Sequence, residues 1–383
     1  NIVIVLDDTP NAFIAKNNLY FTTGLIKYID TPEGLLGVLA HEIGHLKKFH
    51  LFKRKESNQD VQMMDQLSTF IAITTSILAK RPELLIETKI ASQLNIQNYY
   101  SSFSKEQERE ADLFAIEKLN DLKISTNGLE NFLNYLKREY YQKGITKENF
   151  IYATHPYFDE RLAMIYNYSE NNHNSRLNEN MNERFFFIKA KLFGFTEKDI
   201  NYNSDYLKGK YLEYSNSIIL ANNGRLLESL EILNKIIKKE KNNFYLYETK
   251  ADLLYNHGYT KESYDFYKLA LLSNKDNLYI KQKLFNIDYN NLTFKESNLI
   301  NDFFQEYEDL IFLKKNSKKN FLKWSKIFSF LDKKYWHSYV NAKIDLFNSD
   351  YEKAKIKFDD IIYNSNNSKL INASKKEVKK LIK

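Results

Sequence analysis

The sequence predicts a mainly α fold with a small β element: an α+β domain over residues 1–195, then an α-solenoid over 205–383. Three observations predict it. Only ten glycines and four prolines punctuate 383 residues. Apolar residues recur at helical spacing around His41-Glu42-Ile43-Gly44-His45, downstream of a short apolar run, Ile2 to Leu6, that ends in a turn. Gly224 and Gly258 stand 34 residues apart, the period of a repeated helix pair.

The first helix is the most telling. Thr31-Pro32-Glu33 reads as an N-cap, a first-turn proline and a first-turn acid. Leu35, Leu36, Leu39, Ile43 and Leu46 then make an apolar face, and Lys47 and Lys48 suit the negative end of the helix dipole. His41 and His45 are four residues apart, so they share a face one turn apart. Two imidazoles so placed can grip one Zn²⁺, and Glu42 beside them can take a proton from water. His50, just beyond, reads as a solvated helix-end histidine.

A zinc peptidase needs a third protein ligand and an open fourth position. Ser104-Lys105-Glu106-Gln107-Glu108-Arg109-Glu110-Ala111-Asp112 supplies candidates, with Ser104 and Gln107 as a capping box. Glu108 and Asp112 share a helix face, so one can bind metal while the other accepts a hydrogen bond from a ligand histidine. Ala111 is small enough for close helix packing.

These two segments, together with Thr154-His155-Pro156 and Arg161 six residues after the histidine, resemble the three signatures of the HtpX-like and CAAX-prenyl-protease-like zinc metallopeptidases. Asn11-Ala12-Phe13 and Thr23-Gly24-Leu25-Ile26 resemble the strand and turn before the zinc helix of that family. The resemblance covers about residues 1 to 195 and implies a zincin-type domain with one Zn²⁺ per chain. It implies His41, His45 and Glu108 as metal ligands, Glu42 as general base and Asp112 as partner of a ligand histidine. His155 would stabilise the transition-state oxyanion or occupy the fourth position at rest. Arg161 would support that oxyanion region or anchor substrate.

Members of the family with long apolar helices span membranes. Here the longest largely apolar stretch, Leu67 to Ala79, falls short of the ~20 residues a spanning helix needs. It reads as a packing helix, with peripheral membrane contact through 67–79 as the alternative. The chain therefore resembles the soluble, BepA-like branch, which joins the peptidase to tetratricopeptide repeats. That branch implies a periplasmic setting, misfolded or misassembled protein substrates, and outer-membrane assembly machinery as a partner of the repeats.

The repeat pattern is legible around the two glycines. Tyr247, Ala251 and Leu254, then Ser263, Tyr267 and Ala270, fill the large and small positions of a tetratricopeptide helix pair. Ser217, Leu220, Ser229, Leu233 and Ile236 are the equivalents around Gly224. Thr260-Lys261-Glu262-Ser263 recurs as Phe294-Lys295-Glu296-Ser297, and Tyr351, Ala354 and Phe358 suggest a further unit. Ser169 to Asn182 reads as a loop, Arg184 to Phe193 as a helix packed on the peptidase, and Glu197 to Asp205 as the polar link to the repeats.

Composition narrows the rest. The absence of cysteine excludes disulfides and thiolate ligands. The net charge of +7 comes without a nucleic-acid-binding signature, which argues against nucleic acid as a partner. No export signal is visible, and the chain opens inside an apparent strand, so a trimmed upstream segment is expected. Two function classes remain: a zinc-dependent metalloendopeptidase, or a non-enzymatic chaperone or adaptor working through the solenoid with a latent metal site.

Overall fold

The computed structural model describes residues 2–15, 18–48, 105–143, 157–168, 177–200, 202–313 and 316–381. His50, the 67–79 helix, the Ser104 cap and Thr154-His155-Pro156 lie outside the described residues. By their internal contacts the residues form two compact units, 1–232 and 233–383.

In the first unit β1 (Ile2–Val5), β2 (Ala12–Ala15) and β3 (Asn18–Thr22) form a sheet of order β1-β3-β2. β1 runs parallel to β3 with Ile2 opposite Leu19, and β2 runs antiparallel to it with Ala12 opposite Phe21. Thr22 ends the sheet and starts a helix. Its Oγ1 accepts from the Leu25 amide at 3.1 Å and from the Asn11 amide at 2.9 Å, and donates to Thr9 O at 2.7 Å. The turn expected at Thr23–Ile26 is therefore a short helix, α1 (Thr23–Tyr28).

Thr31 caps α2 (Pro32–Lys47) by accepting from the Gly34 amide at 3.2 Å, with Pro32 in the first turn, as the sequence predicts. α3 (Lys105–Asp121), α4 (Asn127–Lys143), α5 (Phe158–Tyr168) and α6 (Glu179–Thr196) follow. The loop expected up to Asn182 stops earlier, because Asn178 caps α6 by accepting from the Met181 amide at 2.9 Å. Phe21, Leu25, Ile29, Ala115, Leu129 and Ile165 anchor the core between sheet and helices.

The leucine stripe of α2 is not its buried side. Leu35, Leu36, Leu39 and Ile43 are half-buried and Leu46 is 42% exposed. The buried strip is Gly34, Gly37, Val38, His41, Gly44 and His45. Small residues let a neighbouring backbone approach where leucines would hold it off. Gly44 shows the constraint: a Cβ there would lie 3.0 Å from both Cα and O of Ala111 on α3. This contact brings Glu108 and the two histidines together.

α7 (Gly209–Asn222) also belongs to the first unit. A Cβ on Gly194 of α6 would sit 2.7 Å from Cβ of Ile218 on α7. The polar link between them is packed rather than open. Tyr206 stacks on Phe193 with centroids 5.5 Å apart, and the hydroxyls of Tyr28 and Tyr202 lie 2.9 Å apart.

α8 (Leu226–Lys239) spans the division between the units. The second unit continues as successive helices, each packed on its chain neighbours: α9 (Phe244–Asn256), α10 (Thr260–Ser273), α11 (Leu278–Asn291), α12 (Ser297–Tyr307), α13 (Lys318–Phe330), α14 (Lys334–Phe347), α15 (Tyr351–Asn364) and α16 (Ser368–Leu381). Ala251, Ser263, Tyr267 and Ala270 are fully buried, as are Ala354 and Phe358, so the repeat positions read from sequence face the core. Tyr351 is 57% exposed and does not. The centre is aromatic, with Trp324 stacked on Phe285 at 4.9 Å and on Phe328 at 5.6 Å.

The turns share one closure. Gly224 and Gly258 adopt φ +81° and +88°, and the amides of Arg225 and Tyr259 reach back to Leu220 O at 2.8 Å and Leu254 O at 2.9 Å. Asp332 and Ser349 do the same at φ +51° and +62°, with Lys333 N to Phe328 O at 3.0 Å and Asp350 N to Asp345 O at 2.9 Å.

Candidate metal centre

His41 and His45 lie on the buried side of α2, and Glu108 and Asp112 on the buried side of α3. Of the four acids in Glu106-Gln107-Glu108-Arg109-Glu110-Ala111-Asp112, only Glu108 and Asp112 are buried, both at 0% exposure. The helical spacing of four picks out this pair, and the burial agrees with it.

One ligand atom from each of His41, His45 and Glu108 falls within 4.8 Å of the others. The two Nε2 atoms are 3.0 Å apart. Glu108 places Oε2 at 3.6 Å from His41 Nε2 and Oε1 at 3.5 Å from His45 Nε2. Ligands at ~2.1 Å around a tetrahedral ion stand ~3.4 Å from one another. The three separations straddle that value, so the residues present fit a tetrahedral divalent ion. Two nitrogens and one carboxylate are a donor set that zinc accepts.

His41 is oriented from behind. Its Nδ1–H donates to Asp112 Oδ1 at 2.7 Å, which leaves Nε2 as the lone-pair nitrogen facing the cluster. Arg161, 4% exposed on α5, binds both acids: Nε donates to Asp112 Oδ2 at 2.6 Å, Nη2 to Asp112 Oδ1 at 2.8 Å, and Nη1 lies 2.9 Å from Glu108 Oε2. Burial pushes the Asp112 carboxyl up, but Arg161 and His41 overcome it and hold the group below the usual carboxylate range. Burial likewise opposes the Arg161 charge, and Asp112, Glu108 and Glu42 outweigh it, so the guanidinium stays protonated.

Glu42 is 4% exposed and follows His41 directly on α2. The structure thus brings together six of the seven site residues read from sequence, His41, Glu42, His45, Glu108, Asp112 and Arg161; the seventh, His155, lies outside the described residues. Two features escaped the sequence. Arg161 braces Glu108 and Asp112, a pairing no spacing announces. Gly44 sets the α2–α3 approach, and its only signal was its place between two histidines.

Residues 1–169 match the model of peptidase family M48. The chain is 24% identical over 262 residues to the beta-barrel assembly-enhancing protease of Yersinia pestis, covering 65% of this chain and 52% of that protein. It is 26% identical over 193 residues to the protein of the same name from Escherichia coli (strain K12), covering 50% of this chain and 38% of that one. The chain thus spans about half, or less, of the length of these curated relatives.

Proposed function

We propose that this member of peptidase family M48, a metallopeptidase by virtue of its residues 1–169, is a zinc-dependent endopeptidase acting on misfolded or misassembled proteins. The observation that carries the reading is the convergence of His41, His45 and Glu108 from two helices beside buried Glu42. Those three residues would hold the ion. When bound, zinc supplies Lewis acidity that polarises the scissile carbonyl and makes water a nucleophile near neutral pH.

The chain's own residues do the rest. Glu42 takes the proton of the attacking water and returns it to the leaving amine. Asp112 keeps His41 in one tautomer, and Arg161 holds Asp112 ionised and both acids in place. β2 lies at the edge of the sheet, where an extended substrate can add as a strand. His155, which lies outside the described residues, is the candidate for stabilising the oxyanion or for filling the fourth position at rest.

The relatives are named beta-barrel assembly-enhancing proteases, which supports a setting in beta-barrel assembly. To that reading belong a periplasmic location, a peptidase domain over 1–195, and tetratricopeptide-like repeats over 205–383 that would hold substrate or assembly machinery. Among the described residues no helix is long and apolar enough to cross a membrane.

Casein cleavage by the wild type and by Glu42→Gln tests the mechanism. The variant is expected to lose ~10²–10⁴-fold in turnover with its zinc content unchanged. Equal turnover would leave only the adaptor reading. Zinc analysis of Glu108→Gln tests the third ligand, which predicts substoichiometric metal.

A further inference from the structure

The charge of this chain is concentrated at one end. Residues 314–383 hold eighteen lysines and seven acidic residues, a net +11, so the 313 residues before them net −4 against +7 for the whole. From this basic region α13 and α14, together with the segment before α12, border an open cleft of about 500 Å³. Phe294, Leu322 and Phe330 give it apolar walls, with Leu322 53% and Phe330 36% exposed. Ser325 lies on its polar side, donating to Asn341 Oδ1 at 2.9 Å and standing 3.1 Å from His337 Nε2.

Lys326 lines it, and Lys323 stands one turn earlier on the same helix. Lys326 Nζ sits 4.4 Å from the Phe294 ring centroid. Lys323 Nζ sits 4.9 Å from that of Tyr289 and donates to the neutral amide oxygen of Asn286 at 2.5 Å. Among the described residues no carboxylate pairs with either. Burial, and Lys319 nearby, push the Lys323 ammonium below its ordinary value, as expected of a cation without a counter-ion.

We propose that this cleft docks an acidic protein segment: a phenylalanine-sized apolar side chain enters between Phe294, Leu322 and Phe330, and flanking Asp or Glu carboxylates pair with Lys323 and Lys326. The cleft is shallow and open; a lipid surface offers charge but no single aromatic side chain to seat against Phe294, Leu322 and Phe330, so a peptide is the occupant that uses both features. The inference deepens the reading of the repeats as the holder of protein partners.

The test uses the full chain carrying Glu42→Gln, so that no probe is cut, and three fluorescein-labelled pentapeptides read by anisotropy. These are Glu-Glu-Phe-Glu-Glu, its Ser-centred analogue and its Lys-flanked analogue. The Phe peptide is expected to bind ~10-fold more tightly than the Ser peptide, the value of one buried aromatic side chain, and the Lys-flanked peptide not at all. Lys326→Glu should weaken the Phe peptide ~10-fold, and Lys353→Glu, the same charge change at a 70% exposed lysine of α15, less than ~2-fold. Ser329→Trp, which fills the cleft, should erase the preference for Phe over Ser.

Equal binding of Phe and Ser peptides overturns the proposal without any cleft variant. So do equal losses in Lys326→Glu and Lys353→Glu, or binding only to vesicles of phosphatidylcholine and phosphatidylglycerol. Casein turnover by the wild type is scored separately: loss of peptide binding with turnover intact sinks the docking site alone, and the reverse sinks only the peptidase reading.

Discussion

Around His41, six side chains that carry or can carry charge are each at most 4% exposed and hold one another in place. Around Trp324 the buried set is rings: Phe285, Phe304 and Phe328, stacked or edge-on. Both regions are dry, yet they fail differently. A buried ion cluster is coherent only when every partner is present, because each removal strands a charge. An aromatic core loses contact area in proportion to what is removed. The first region is therefore organised for a ligand, and the second for stability.

The largest expected effect breaks the cluster from behind. Arg161→Met strands Asp112 and Glu108, which should cost ~3–5 kcal/mol in urea unfolding. It should also weaken zinc binding ~10–100-fold in a chelator competition, because both acids lose their anchor. Lost stability with zinc affinity intact would detach Arg161 from the ligands. Trp324→Ala should cost a similar ~3–5 kcal/mol through the cavity it leaves, yet leave zinc affinity as it was. Zinc loss in that variant would erase the contrast between the regions.

A third experiment uses pH. Lys189 of α6 is 1% exposed, with Nζ donating to Ile29 O at 2.8 Å. Burial lowers its pKa to about 8, against a partial upward pull from Asp30. Between that value and the ordinary 10.5 the unfolded chain holds a proton that the folded chain has lost, so stability rises with pH across this window. The rise is up to about 3 kcal/mol, and urea midpoints taken across the window should be flatter in Lys189→Met. The smallest effect belongs to the repeats. Ser349 holds φ +62°, so Ser349→Gly should add about 1 kcal/mol of thermal stability.

The candidate metal cluster was legible because its chemistry is written in local spacing: His41 with His45, and Glu108 with its neighbour Asp112, each one helical turn apart. The repeats were legible where glycine marked the turn, at Gly224 and Gly258. The later units were faint because Asp332 and Ser349 make the same turn without glycine. Periodicity found the apolar face of α2, of which Leu35 and Leu39 pack on the core, but not the glycines that set the close contact. The sequence also gives no sign that Lys27 and Lys189 are buried, nor that Lys27 pairs with Asp8 and Glu197. No local pattern encodes a partner 170 residues away.

The order of the parts along the chain has a consequence for synthesis. His41 and His45 leave the ribosome first, Glu108 later, and Arg161 last of the six. At ribosomal speeds of ~5–20 residues per second, the gap between the imidazoles and their guanidinium brace is on the order of ten seconds. For the last part of that interval, the roughly 50 residues between Asp112 and Arg161, the two carboxylates have no guanidinium to neutralise them, so the nascent chain cannot close this cluster until most of the first unit has been made.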